Sequence, residues 1–351
     1  MATPKIAHSK GSYKEIKAGQ RYLWCSCGRS QSQPFCDGSH VDTDFMPVLF
    51  RAKTDEDVIF CGCKHTATPP FCDGAHNNLV GGSSSDDPFS TENLAVPMVA
   101  VRAGPVRRLD DACFVFSSAR AELREHAGLR YCAVITPSGG ARFQSQFYLE
   151  AAHGPSPVIT AKDCHTVLFL VGGDGQIEIG GQLFTATQHS GVFIRPGEAY
   201  RLHNLGQAPL KVFISMGPGG EDLTFLENMP YGLEAISPTR LAEIDPDHRN
   251  GMGDRFYQLL INREHGSDVM TQFIGNIPHS KGAPHRHLYE EVLIFLHGEG
   301  VVWTETRKTP VRAGDVLFLP AKQLHSVQCV SEHGLDVVGV ICPGDNPSIN
   351  Y

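Results

Sequence analysis

Within its first eighty residues the chain carries one cysteine–histidine pattern twice, and a polypeptide that must gather such donors has few folds open to it. The first copy runs Cys25-Ser26-Cys27, then Pro34-Phe35-Cys36-Asp37-Gly38-Ser39-His40. The second runs Cys61-Gly62-Cys63, then Pro70-Phe71-Cys72-Asp73-Gly74-Ala75-His76, at identical spacing. Each copy offers three thiolates and one imidazole, a donor set for zinc or for an iron–sulfur centre. The segment ending in His reads as a turn entering a helix, with Asp37 and Asp73 placed to cap it and Gly38 and Gly74 letting the backbone pass close to a metal. Residues 19–24 and 57–60 read as short strands. His65 lies inside the second copy but off its pattern, as a surface residue or a support to a ligand. The remaining cysteines, Cys113, Cys132, Cys164, Cys329 and Cys342, are scattered among apolar neighbours as isolated buried thiols, the usage of a reducing cytoplasm.

The duplicated pattern resembles the CDGSH iron–sulfur family, the group that contains mitoNEET. Its signature, Cys-x-Cys-x2-Ser/Thr-x3-Pro-x-Cys-Asp-Gly-Ser/Ala/Thr-His, is met at every position in both copies, Ser30 and Thr66 included. The resemblance implies two [2Fe–2S] clusters, one held by Cys25, Cys27, Cys36 and His40, the other by Cys61, Cys63, Cys72 and His76. It also implies that the two copies form an internal pseudo-dimer. Two tetrahedral zinc sites are the alternative, although Cys-x-Cys is tighter than usual zinc-finger spacing. One imidazole in place of a thiolate makes a cluster less negative and raises its potential, which suits one-electron transfer or cluster donation.

A second constellation lies far downstream. In Pro284-His285-Arg286-His287-Leu288-Tyr289-Glu290-Glu291, two His separated by one residue project from one face of a strand. Glu291 opens an apolar run that ends at His297-Gly298, and a later run leads through Pro320 to His325. Three imidazoles and a carboxylate would hold a divalent metal and leave positions open for substrate or oxygen. The pattern resembles the two motifs of the cupin superfamily: His285, His287, Glu291 and Gly298 match the first, and Gly314, Pro320 and His325 the second. Lys322 stands where the second motif has Gly, and the Gly before the first His is missing. The resemblance implies metal ligation by His285, His287, Glu291 and His325. Fe(II) is the leading metal, with Mn, Ni or Zn as alternatives. No catalytic residue beyond these ligands is visible. Tyr289 has the parity to face the site, but a turn before Glu291 could redirect it.

From about residue 110 short apolar runs alternate with Gly/Pro/Asn turns, the rhythm of sandwich or barrel units. The expected fold is mainly β: a small tandem CDGSH iron–sulfur module followed by two jelly-roll β-barrels, a bicupin. The module takes residues 1–80, a linker 81–108, an N-terminal cupin 109–235 and a C-terminal metal-binding cupin 236–351. The polar stretch 81–88 reads as flexible. Helix is scarce, with 119–127 and 238–244 the best segments. Aligning Gly172 with Gly298 puts Ile159, Ala161, His165 and Tyr200 in the ligand places of the first barrel. That set holds no metal, and the barrel is expected to be a packing partner. A shifted site recruiting His203 with His153 or His189 is the alternative.

The net charge of −8, without a basic stripe, argues against nucleic acid as a partner. No apolar run has membrane-spanning length, and Met1-Ala2-Thr3-Pro4-Lys5 lacks the apolar core of a secretory signal, so no membrane and a cytoplasmic location are expected. The joint reading is an iron-dependent redox enzyme, an oxygenase of the dioxygenase type. Its barrel iron would be served by the clusters, act on a small molecule and draw electrons from a reductase. A carrier fused to its acceptor gains effective concentration. A non-redox isomerase or decarboxylase with regulatory clusters, and an iron–sulfur sensor without catalysis, are the alternatives. Substrate and oligomeric state are not written in the sequence.

Overall fold

The computed structural model describes residues 2–79, 85–101, 103–230 and 238–351. In the N-terminal module the two copies are intertwined. Strand Ser12–Ile16, ahead of the first cysteines, pairs with Glu56–Phe60 of the second copy, and Arg21–Trp24 of the first pairs with Val48–Arg51. Neither copy thus has a sheet of its own. Ile16, Trp24, Val58 and Phe60 are buried between them under Tyr22, Phe35, Phe50 and Phe71. The Trp24 indole N–H donates to the Cys61 carbonyl at 2.9 Å, tying one copy's core to the other's cysteine loop.

The barrels follow from strand patterning. In His165–Gly172, Leu168 and Leu170 point into the first barrel while Phe169 points out. In Glu290–His297, Leu293 and Phe295 point into the second barrel while Val292 and Ile294 point out. These strands are apolar on both faces because the seven-stranded sheet of the first barrel packs on the eight-stranded sheet of the second. A smaller sheet closes each barrel on its far side, six strands in the first and five in the second.

The barrels exchange strands across the expected boundaries. Val106–Arg108 and Phe114–Ser117, on either side of residue 108, join the second barrel beside Asp315–Leu319. Leu241–Ala242, expected in the second barrel, pairs with Gly191–Ile194 of the first. Each exchange covers an edge that would otherwise present unpaired backbone groups. The polar stretch 81–88 lies partly outside the described residues. Its Ser85–Asp86 pairs with Lys281–Gly282, and the Asp86 carboxylate takes the ammonium of buried Lys281.

Neither expected helix forms. Ser118–Arg120 and Pro238–Arg240 are single 3-10 turns, and Arg124–His126 and Leu241–Ala242 are strands, because edge pairing overrides a weak helical pattern. The α-helix among the described residues is Thr91–Ala95, inside the expected linker, with Ser90 Oγ accepting from Asn93 N at 3.2 Å. No helix among the described residues is long and apolar enough to cross a membrane.

Candidate functional site

In the second barrel, His285 and His325 face each other across an isolated bridge, exchanging backbone hydrogen bonds at 3.0 and 3.1 Å. His287 lies two residues on, and Glu291 opens the neighbouring strand. Donor atoms of His287, Glu291 and His325 all lie within 4.8 Å of one another, and all three residues are buried. His285 lies at the rim of this group, its ring 4.3 Å from that of His325 and 6.2 Å from that of His287. The sequence set of four is thus three converged donors with the fourth alongside.

Each imidazole is oriented in the same way. Nδ1–H of His285 donates to Ala283 O at 3.0 Å, that of His287 to Tyr289 O at 2.9 Å, and that of His325 to Gln323 O at 3.0 Å. A carbonyl oxygen only accepts, so Nδ1 carries the proton and Nε2 presents its lone pair, the arrangement a metal-binding His requires. His287 Nε2 stands 2.9 Å from Glu291 Oε2. With Nδ1 already a donor, a proton or a cation must lie between these two atoms. The residues therefore fit a divalent metal. Burial and the neighbouring His287 charge push the His325 imidazole down to about 4, and burial with the His325 charge holds His285 well below its ordinary value. Burial alone would raise the Glu291 carboxyl, but the His287 hydrogen bond and the charges of His287 and His325 hold it below the usual range. Tyr289 stacks on His287 at 4.2 Å and its OH donates to Pro347 O at 3.2 Å, so it supports that imidazole and does not face the site.

The first barrel is built differently at every ligand place. Ile159, Ala161 and Tyr200 lie in its apolar core. The place of Glu291 is held by Thr166 and not by His165. The β-bulge between Leu170 and Gly172 matches that between Phe295 and His297, and Gly173 (φ 81°), not Gly172, shares the left-handed turn of Gly298 (φ 85°). His165 therefore points between the barrels, 3.5 Å from Asp268. His203 pairs with Glu178 at 2.8 Å, His153 meets Gly206 O at 3.0 Å and His189 stacks on Phe169, so the shifted set does not converge.

In the module the donors come in pairs. Cys25 and Cys27 sulfurs are 3.7 Å apart and Cys36 lies 3.2 Å from His40 Nδ1; in the second copy the corresponding distances are 3.5 Å for Cys61–Cys63 and 3.5 Å for Cys72–His76 Nδ1. Among the described residues no three of these donors fall within 4.8 Å of one another. A two-plus-two arrangement fits a centre with two irons better than one tetrahedral zinc, whose four donors would all be close neighbours. Backbone N–H groups of Arg29 and Lys64 point at sulfurs of Cys27 and Cys61, at 3.4 and 3.2 Å. Asp37 and Asp73 cap no α-helix. Each closes its loop by accepting from two backbone N–H groups, Gln31 and Ser39 in one copy, Ala67 and Ala75 in the other. A short 3-10 helix, Ala75–Asn78, follows only in the second copy. His65 accompanies the second set without joining it, its Nδ1–H donating to Cys63 O at 2.7 Å.

The two kinds of site share a wall. One cavity of about 60 Å³ is lined by Lys10, His76 and Asn350 together with Arg255 and His285. A second, of about 90 Å³, holds His285, His287, Glu291 and His325 against Phe273, Leu293 and Val327, and Arg255 and His285 line both. Sequence reasoning missed Lys10, Arg255 and Asn350, because each is an isolated polar residue with no pattern around it.

A family model described as iron-binding zinc finger, CDGSH type, matches residues 3–41, and one described as cupin domain matches residues 276–341. The chain is a CDGSH-type domain fused to a cupin. CDGSH iron-sulfur domain-containing protein 3, mitochondrial, of Mus musculus is 46% identical over 54 residues, 15% of the CDGSH–cupin chain and 39% of that protein, well under half its length. The (S)-ureidoglycine aminohydrolase of Escherichia coli (strain K12) is 22% identical over 199 residues, 54% of this chain and 71% of that one. The Lactobacillus farciminis oxalate decarboxylase, solved as a formate complex, matches with a TM-score of 0.51 over 66% of this chain and 86% of its own, at 14% identity, a likeness of fold alone.

The one departure from the second cupin motif explains part of how the CDGSH–cupin chain is assembled. Lys322, in the Gly place, adopts the left-handed φ of 68°, and its N–H donates to His287 O at 2.8 Å. Its ammonium reaches the module, 2.6 Å from Asp57 and 3.1 Å from the Tyr13 hydroxyl. Left-handed backbone costs a side-chain-bearing residue about 1–2 kcal/mol, and an exposed, solvent-screened pair contributes about 0–1 kcal/mol. Lys322→Gly should therefore change stability by no more than about 2 kcal/mol, with relief of strain and loss of contact opposed. Hydrogen exchange in Glu56–Phe60 should nevertheless quicken as the module loosens. Unaltered exchange there would show that Lys322 does not hold it.

Proposed function

We propose that the chain is a metal-dependent oxidoreductase for a small anionic molecule, in which two [2Fe–2S] clusters serve a mononuclear iron of the second barrel. The observation that carries this reading is the shared wall: His76, at one cluster set, lines the same cavity as His285, at the barrel set. Cys25, Cys27, Cys36 and His40 hold one cluster and Cys61, Cys63, Cys72 and His76 the other. His287, Glu291 and His325, with His285 at the rim, hold the iron. Bound there, iron supplies a one-electron couple, Lewis acidity and open positions for a ligand, while the clusters supply single electrons drawn from an external reductase. The chain's own residues prepare the site. The three Nδ1 hydrogen bonds hold Nε2 inward, and Glu291 offsets part of the metal's charge. Phe273, Leu293 and Val327 limit water, and the adjoining cavity adds the Lys10 ammonium and the Arg255 guanidinium, the latter paired with Asp254 at 2.9 Å, as cations that favour an anion.

Metal analysis beside a visible spectrum of anaerobically purified protein tests the reading. Iron should exceed what two clusters need, and the excess alone should disappear in His325→Ala. Manganese or zinc in the barrel would favour a redox-neutral enzyme, with the metal as Lewis acid and the clusters regulatory. The similarity to the aminohydrolase over 199 residues favours that second reading.

A further inference from the structure

His40 and His76 hold equivalent places in the two copies, but not equivalent surroundings. His76 is 4% exposed, and its Nε2–H donates to Asn350 Oδ1 at 3.1 Å. His40 is only half-buried, and among the described residues nothing accepts a hydrogen bond from its Nε2. Asn350 is itself oriented, because its Nδ2 donates to Ser348 O at 3.3 Å and leaves Oδ1 for His76.

The tail that carries Asn350 is held from both sides. On the module, Asn77 Nδ2 donates to Ser348 O at 2.8 Å and Asn346 Nδ2 to Asp73 O at 3.3 Å. Gly74 must lack a side chain there, since a Cβ would lie 1.9 Å from Ser348 Oγ. On the barrel, Tyr257 OH donates to Asn346 Oδ1 at 3.0 Å, and Tyr351 exchanges both backbone hydrogen bonds with Arg286 at 3.0 and 3.1 Å. Arg286 sits between His285 and His287 in the chain.

We propose that Asn350 is the positioning residue of the second cluster, so that a residue of the barrel's tail makes the two clusters inequivalent. This rests on His76 being a cluster ligand through Nδ1, and it does not need the relay of electrons to the barrel. An acceptor on the far nitrogen of a ligating imidazole fixes the tautomer and ring orientation and makes the near nitrogen a stronger donor. A stronger donor favours the more oxidised iron and lowers the potential. A carboxylate in the same place would accept more strongly than an amide.

The test uses the full chain carrying Cys36→Ser, whose remaining cluster is that of the second copy. In that background Asn350→Ala should raise the midpoint potential, alter the electron paramagnetic resonance spectrum of the reduced cluster and speed its loss to an iron chelator about tenfold or more. Asn350→Asp should retain the cluster and move the potential the other way. In the reciprocal Cys72→Ser background both substitutions should leave the first cluster's potential unchanged. Shifts of the same sign in the Ala and Asp variants, or no shift in either, would overturn the proposal, since a merely structural role has no reason to reverse sign. Equal shifts in both backgrounds would overturn it too, by tracing the effect to the packing of the whole module. A Cys36→Ser chain without a cluster, or a Cys72→Ser chain with two, would sink it at an earlier point, by removing the ligand reading on which it stands.

Discussion

His325→Ala should leave the second barrel without metal while both cluster spectra stay intact. His325 is one of three converging donors, and its orientation is set by Gln323 O. Loss of a partner that merely orients a ligand costs about 10–100-fold in metal affinity, and loss of a donor atom should exceed about 100-fold. The same holds for His287→Ala and Glu291→Ala. His285→Ala should have a smaller effect, since its ring lies at the rim of the group. His165→Ala should change metal content not at all, because His165 points between the barrels toward Asp268. Metal measured per chain after anaerobic purification, beside a thermal melt to confirm folding, reads all five variants. Barrel metal surviving in folded His325→Ala protein, or lost in folded His165→Ala protein, would refute this site.

The second large effect is expected in the Cys36→Ser/Cys72→Ser chain, which should keep its barrel metal and lose its internal electron supply. The donor sets share no residue, so removing a sulfur from each copy leaves His287, Glu291 and His325 untouched. In the unaltered chain, a one-electron reductase should abolish the ferric signal of the barrel, at a rate independent of protein concentration. Module and barrel are docked within one chain, through Lys322–Asp57 and the Asn77–Ser348 hydrogen bond. In the double variant that signal should persist under the same reductase. Reduction at an undiminished rate would show that the clusters are not the supply, and the redox-neutral reading would then lead.

The candidate cluster donors and the His285–Glu291 part of the barrel set stand out in the sequence because each lies in a short segment. Cys-x-Cys, Asp-Gly-x-His and His-x-His bring donors together through local geometry, and a strand's period of two puts His285 and His287 on one side. Glu291 and His325 follow from strand order in a barrel, which the apolar runs already mark. The first barrel was legible only in part. Ile159, Ala161 and Tyr200 fall where the pattern places them, but Gly173 and not Gly172 holds the turn of Gly298, so the Glu place falls on Thr166 and not on His165. A one-residue shift in register reverses which face a side chain meets, and the adjacent pair Gly172-Gly173 does not mark which of the two takes the left-handed turn.

The sequence by itself determined which donors the chain offers, six cysteines and six His/Glu residues at spacings that local backbone geometry can gather, and a mainly β chain in two barrels. Only the tertiary structure decided how those sites are joined. The exchange of Ser12–Ile16 and Val48–Arg51 between copies depends on pairings far apart in the chain, as does the crossing of Phe114–Ser117 into the second barrel. The contact of Asn350 with His76 spans 274 positions. Such contacts arise from the packing of surfaces whose residues carry no mutual period or motif, which is why Lys10, Arg255 and the tail read as ordinary polar sequence. Lys322 shows both sides of that division: as a residue it is a lapse from the motif, and in the fold it is a hand from the barrel to the module.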